Sequence, residues 1–232
     1  MERIVYTLIK FTSKMEHAEQ LRNGLIYMNK LKTFSGYRDS EGLLRSDPFE
    51  GVVAIFQPDK VKLEFQGRQI DTKDISGPIL MHDNALMEKY AFCMYSINSK
   101  NWQQIREDEV EDFQKDMKVH EQVYGLGSYA VLFINSQEFK QRLESALHTK
   151  GYDYRLGFVE YYDELKVTGF LEQAKWGFHK RADFRILNEY RLLIDTPISS
   201  LDDLFLLDVG SLRDISIVVP SSDINGSLKI QP

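Results

Sequence analysis

Two segments of this chain interleave charges of both signs with aromatic rings inside a few residues: Arg45 to Gly51 (RSDPFEG) and Phe178 to Arg191 (FHKRADFRILNEYR). Large rings prefer burial, and a charge beside a buried ring must find a partner or a ligand. A solvated surface needs neither arrangement. Two such segments in one chain are therefore expected to meet in a shared polar site set into a core.

The rest of the chain supplies a scaffold for such a site. A chain of 232 residues can bury a real core, and a single domain spanning 1–232 is the expectation. Arg3 to Phe11, Leu25 to Met28, Tyr90 to Ile97, Tyr129 to Ile134, Leu156 to Tyr162, Asn188 to Ile194, Leu204 to Val209 and Ile215 to Pro220 have the β-branched and aromatic content of strands. Val52 to Phe56, Val61 to Phe65, Arg68 to Asp71 and Ile79 to Met81 read as a meander with a hairpin tip at Gln66 to Arg68. Lys14 to Asn23, Arg106 to Val119 and Ser136 to Lys150 read as helices. The first ends at Gly24, and the third is capped by Ser136 and closed by Gly151. Tyr37 to Pro48 reads as a loop and Asp163 to Lys175 as a polar excursion. The expected fold class is α+β: a mixed, mainly antiparallel sheet with a few flanking helices.

Charge and composition narrow the function classes. A net charge of −6 argues against a surface that grips nucleic acid throughout. No apolar run is long enough to cross a bilayer, no signal-peptide cleavage region follows the N-terminus, and Cys93 alone allows no intrachain disulfide. A cytoplasmic protein is expected. The histidines are scattered without zinc spacing, and there is no P-loop or dinucleotide fingerprint. No metal is expected.

The order RSDPFEG, AFCMYSI, YGLGSYAVLFIN, GFVEYYD, FHKRADFRILNEYRLLI resembles an uncharacterised bacterial and phage family. Its members carry Phe-Asn-Asp-Pro-Phe-Glu near the N-terminus and Lys-x(3)-aromatic-x(2)-Glu-x-Glu-x-Arg near the C-terminus. Ser46 stands where that family often has Asn, and Phe184 where it has Trp. The chain is also similar to ADP-ribosyltransferase-like domains through the turn LRNGLIY, the pair Tyr95-Ser96 and the late-strand Glu189. That resemblance implies NAD as cofactor, Glu189 and Ser96 as catalytic residues, and a ligand site of Lys10, Arg45, Asp47, Glu50, Tyr95, Lys180 and Arg191. A carboxylate would stabilise an oxocarbenium-like ribosyl centre, a ring would stack on nicotinamide, and Arg45 and Lys180 would hold phosphates. Glu189→Gln would abolish turnover with little loss of fold.

Two other readings stand beside it. A phage or bacterial defence or anti-defence module would use the same residues to bind a nucleotide signal, or the charged helix Arg106 to Val119 to meet a partner protein. A metal-dependent nuclease would use Asp47, Glu50 and the triplet Glu138-Phe139-Lys140 around Mg²⁺. The structural alternative is plainer: Asp47 and Glu50 cap a turn and pair with Arg45 or Lys10, and Glu189 and Arg191 pair with Lys180. Tyr95 would then be core, and Cys93 an inert buried thiol.

Overall fold

The computed structural model describes residues 3–36, 47–195 and 204–228. β1 (Val5–Thr12) buries Leu8 on one face and Ile9 and Phe11 on the other, as strand alternation requires. α1 (Met15–Arg22) buries Ala18 and Leu21. The chain then turns at Gly24, whose φ is +96° and where a Cβ would stand 2.0 Å from the Gly210 carbonyl oxygen, so only glycine fits. β2 (Leu25–Lys30) runs directly into α2 (Leu31–Gly36).

β3 (Val52–Phe56) leads to β4 (Leu63–Phe65) and β5 (Arg68–Ile70), a hairpin turned by Gln66 and Gly67 at positive φ. β6 (Ile79–His82) comes back to pair with β3, so the expected meander is instead a separate hairpin inserted between two paired strands. α3 (Asn84–Met87), capped by Asp83, precedes β7 (Tyr90–Asn98). The expected helix 106–119 is shorter: a turn of 3₁₀ helix at Glu107–Glu109, then α4 (Val110–Asp116). Phe113 and Met117 are buried against the sheet.

β8 (Tyr129–Phe133) is followed by α5 (Ser136–Lys150). Asn135, not Ser136, is its cap: Asn135 Oδ1 accepts from the Glu138 amide at 3.0 Å, while Ser136 Oγ donates to the Val5 carbonyl. Gly151 closes the helix in the left-handed region, as expected. The expected strand 156–162 is two strands, β9 (Asp153–Phe158) and β10 (Glu160–Tyr162), in different sheets. β11 (Gly169–Phe170), β12 (His179–Arg181), β13 (Glu189–Asp195), β14 (Leu204–Asp208), β15 (Ser216–Pro220) and α6 (Ile224–Ser227) complete the chain.

The result is an α+β domain around an eight-stranded antiparallel sheet, ordered β14-β2-β7-β1-β8-β15, with β13 on β7 and β9 on β13. One face packs on α1 and α5, where Phe139, Leu143 and Leu147 meet Leu8, Phe92 and Phe133. The opposite face carries two apolar patches. One joins Ile9, Tyr95 and Leu132 to Phe113 and Met117; the other joins Ala91 and Leu193 to Val53, Leu86 and Phe178. Alternation places Cys93, Glu189 and Arg191 on this same face, in the seam between the patches. Among the described residues, no helix is long and apolar enough to cross a membrane.

Candidate functional site: a split sheet above a buried charge cluster

β7 is the hub. One of its edges pairs with β13 from Tyr90 to Tyr95. The other is shared: β2 pairs at Tyr90 and Ala91, and β1 pairs from Tyr95 onward. Between those contacts β1 and β2 diverge, and a cavity of about 800 Å³ fills the split. Phe92, Cys93, Met94 and Tyr95 line it from β7, Lys10 and Phe11 from β1, Tyr27 and Asn29 from β2, and His17 and Gln20 from α1. Lys180 and Glu189 line its far end, and Glu189 is the only carboxylate among the described lining residues.

Behind Glu189 lies the cluster that the two charged-aromatic segments build together. Arg191 is fully buried, and every N–H of its guanidinium is used. Nη1 donates to Glu50 Oε1 and to the Gly177 carbonyl, both at 2.6 Å, and Nη2 to Glu50 Oε2 at 3.2 Å. Nε donates to Glu189 Oε1 at 2.8 Å, with Nη2 2.7 Å from the same oxygen. Lys180 Nζ closes the ring, 3.0 Å from Glu189 Oε2 and 3.3 Å from Glu50 Oε2. Two carboxylates and two cations balance, as burial demands.

Gly177 makes this possible. Its φ is +83°, and a Cβ would stand 2.8 Å from Leu193 Cδ2. The aromatic residues of the two segments also find a use: Lys180 lies 5.3 Å from the Phe184 ring centre, and the Arg181 guanidinium sits near both Phe49 and Phe184.

The electrostatics follow from the geometry. Burial pushes the Glu189 carboxyl up, but Arg191 and Lys180 outweigh it and hold the group well below the usual carboxylate range. The Cys93 thiol lies on the same sheet face as Glu189. Burial pushes that thiol up to about 12, helped by the Glu189 charge, so Cys93 is inert as a nucleophile. Burial would lower Lys180, yet Glu189 and Glu50 raise it above its ordinary value. Tyr161 Oη accepts from the Glu189 amide at 2.9 Å, fixing the start of β13.

The expected site residues therefore divide. Lys10, Tyr95, Lys180 and Glu189 meet in the cavity. Glu50 and Arg191 do not line it; they stand behind Glu189 and hold it. Asp47 is buried and paired with Arg181 Nε at 2.8 Å. Ser96 is not a lining residue: its Oγ donates to the Asn188 carbonyl at 2.7 Å and accepts from Asn98 Nδ2 at 2.9 Å. Asn188, at φ +41°, carries the left-handed turn into β13. Arg45 lies outside the described residues.

Lys180 cannot be a free phosphate ligand while two carboxylates hold it. Glu138 pairs with Arg142 on α5, so it joins neither Asp47 nor Glu50 in a metal-binding group. Residues that sequence reasoning missed are His17, Gln20, Tyr27 and Asn29, which only the divergence of β1 and β2 brings to one cavity, and Gly177, whose positive φ has no sequence signature. No family model matches the chain, and no curated protein or solved structure is significantly similar to it.

Proposed function

We propose that the split between β1 and β2 binds a nucleotide-class ligand, with NAD handling of the ADP-ribosyltransferase type as the chemistry. The observation that carries this reading is a single rigidly held carboxylate, Glu189, at the end of a cavity that also presents Lys10 and the rings of Phe11, Tyr27, Phe34 and Tyr95. The volume suits a nucleotide, and rings with a few placed polar groups are what such ligands need. In the proposed reaction the bond between nicotinamide and ribose breaks, nicotinamide leaves with the electron pair, and an acceptor nucleophile bonds to the ribosyl carbon and loses its proton. Glu189 is held ionised far below neutral pH, so it makes a poor proton acceptor. Its role would be electrostatic, facing the positive charge that develops on the ribosyl centre.

A second reading uses the same pocket for binding without turnover, as a defence or anti-defence module would. It is favoured by one feature: both Glu189 oxygens already serve Arg191 and Lys180. Thermal unfolding with NAD, ADP-ribose and ATP, paired with a nicotinamide-release assay, separates the two. A ligand bound only by the native state raises the midpoint. In the transferase reading NAD raises the midpoint and is turned over, and Glu189→Gln ends release while leaving a folded protein that still binds NAD. Unchanged release in that variant would remove Glu189 from the mechanism. A midpoint shift with no release in the wild-type protein would select the binding module.

A further inference from the structure

The central strand leaves one rung of its ladder open to the cavity. The Ser96 amide donates to the Asn188 carbonyl at 2.9 Å, towards β13. In an antiparallel ladder the bonding side alternates from residue to residue. Met94 and Phe92 therefore also bond towards β13, while Tyr95, Cys93 and Ala91 direct their N–H and C=O groups to the opposite edge. There Tyr95 is paired with Ile9 of β1, and Ala91 with Asn29 of β2. Continuing either register would set Phe11 or Tyr27 opposite Cys93. Neither pairing occurs among the described residues, because the strands have already diverged. The Cys93 carbonyl instead accepts from Lys10 Nζ at 2.8 Å, and Lys10, Phe11, Tyr27 and Cys93 all line the cavity.

We infer that this rung is a subsite for a planar amide edge, meaning a carbonyl oxygen and an N–H side by side, as in a carboxamide or a pyrimidine lactam. The inference rests on the nucleotide reading of the cavity and names which part of the ligand lies in the split. The ligand carbonyl accepts from the Cys93 N–H. The ligand N–H donates to the Cys93 carbonyl, which has a second lone pair beside the one Lys10 uses. The pair of bonds is the one that a facing strand residue would have made. The rings of Phe11 and Tyr27 supply apolar walls for a planar group. Recognition by backbone adds a fixed donor and acceptor pair to the polar side chains, Gln20, Asn29 and Thr33 among them, that also line the pocket.

Cys93 is the only cysteine in the chain, so cysteine-selective ¹⁵N labelling gives one backbone amide signal, placed at this rung. The probes are nicotinamide and uridine, each beside a control whose donor is methylated: N,N-dimethylnicotinamide and 3-methyluridine. The expected result is a saturable downfield shift of the Cys93 amide proton with nicotinamide, uridine or both. The methylated partner should bind about tenfold more weakly, the loss of one hydrogen bond. Which probe acts identifies the source of the amide edge. A signal that neither probe moves, or that the methylated controls move equally, overturns the subsite. NAD turnover with a silent Cys93 amide would discard the subsite and keep the proposed function. A responding Cys93 amide without any NAD-induced midpoint shift would keep the subsite and discard NAD as the ligand.

Discussion

Arg142 and Arg191 both grip a carboxylate with two ends of the guanidinium, and almost nothing else about them is alike. Arg142 meets Asp214 with two contacts of 2.7 Å, and Glu138 with a third at 2.8 Å. Arg191 meets Glu50 at 2.6 and 3.2 Å, and Glu189 at 2.8 Å. By distance alone the surface network is at least as good. The side chains of Arg142 and Asp214 are 27% and 60% exposed, whereas those of Arg191 and Glu50 are both at 0%. Water and salt screen the first pair and compete for its hydrogen bonds. In the second, each ion depends on its partners, because no solvent replaces them. Equal geometry thus carries unequal consequence, and only the buried set fixes a carboxylate at a cavity.

The largest expected effect is at Arg191. Arg191→Met leaves Glu50 and Glu189 facing each other with Lys180 as their remaining cation, and should cost about 3–5 kcal/mol in urea unfolding. Adding Glu50→Met removes the orphaned carboxylate. The double variant should therefore be more stable than the single Arg191 variant. If the two effects simply add, the cluster is not a unit and the contrast with Arg142 fails.

Glu189→Gln comes next. The sequence suggested little loss of fold, but the amide cannot compensate Arg191 and Lys180 as the carboxylate does. A loss of roughly 2–3 kcal/mol is expected in the same assay, so activity must be compared at a temperature where the variant stays folded. Gly177→Ala forces a Cβ into a left-handed residue beside Leu193 and disturbs the carbonyl that Arg191 uses. It should cost about 1–3 kcal/mol by the same measurement.

The pH profile tests the cluster without mutation. The folded pKa of Glu189 lies below its usual 4.5, so in acid the unfolded chain takes up the proton first. The contribution is complete above that value and is lost as pH falls through the folded pKa. Unfolding midpoints should decline progressively below about pH 4.5, and Glu189→Gln should flatten that decline. Arg142→Ala should produce the smallest change, and one that shrinks in high salt. A large, salt-insensitive loss there would erase the distinction between the two networks.

Much of the fold was legible because its signals are local. The strands at Tyr90–Asn98 and Tyr129–Phe133 are apolar runs, and α5 has an apolar face and a terminal glycine. The errors fall where tertiary demands override local pattern. Asn135 takes the cap of α5 because Ser136 is drawn to the Val5 carbonyl, a bond no sequence window reveals. The run 156–162 breaks at Val159, whose amide donates to the Glu189 carbonyl while the residues after it, Glu160 to Tyr162, join another sheet.

For the site, sequence determined that two segments rich in rings and mixed charge had to meet, since burial of such charges requires partners. Asp47, Glu50, Lys180, Glu189 and Arg191 duly form one buried neighbourhood with Arg181. What it could not determine was the division of labour among them. Glu189 faces a cavity while Glu50 and Arg191 stand behind it, and Ser96 is turned into the Asn188 corner. Those assignments depend on where β1 and β2 part company on β7, a choice made by packing on both faces of the sheet at once. Residue types specify which groups need partners; the tertiary structure alone decides which of them is left facing open space.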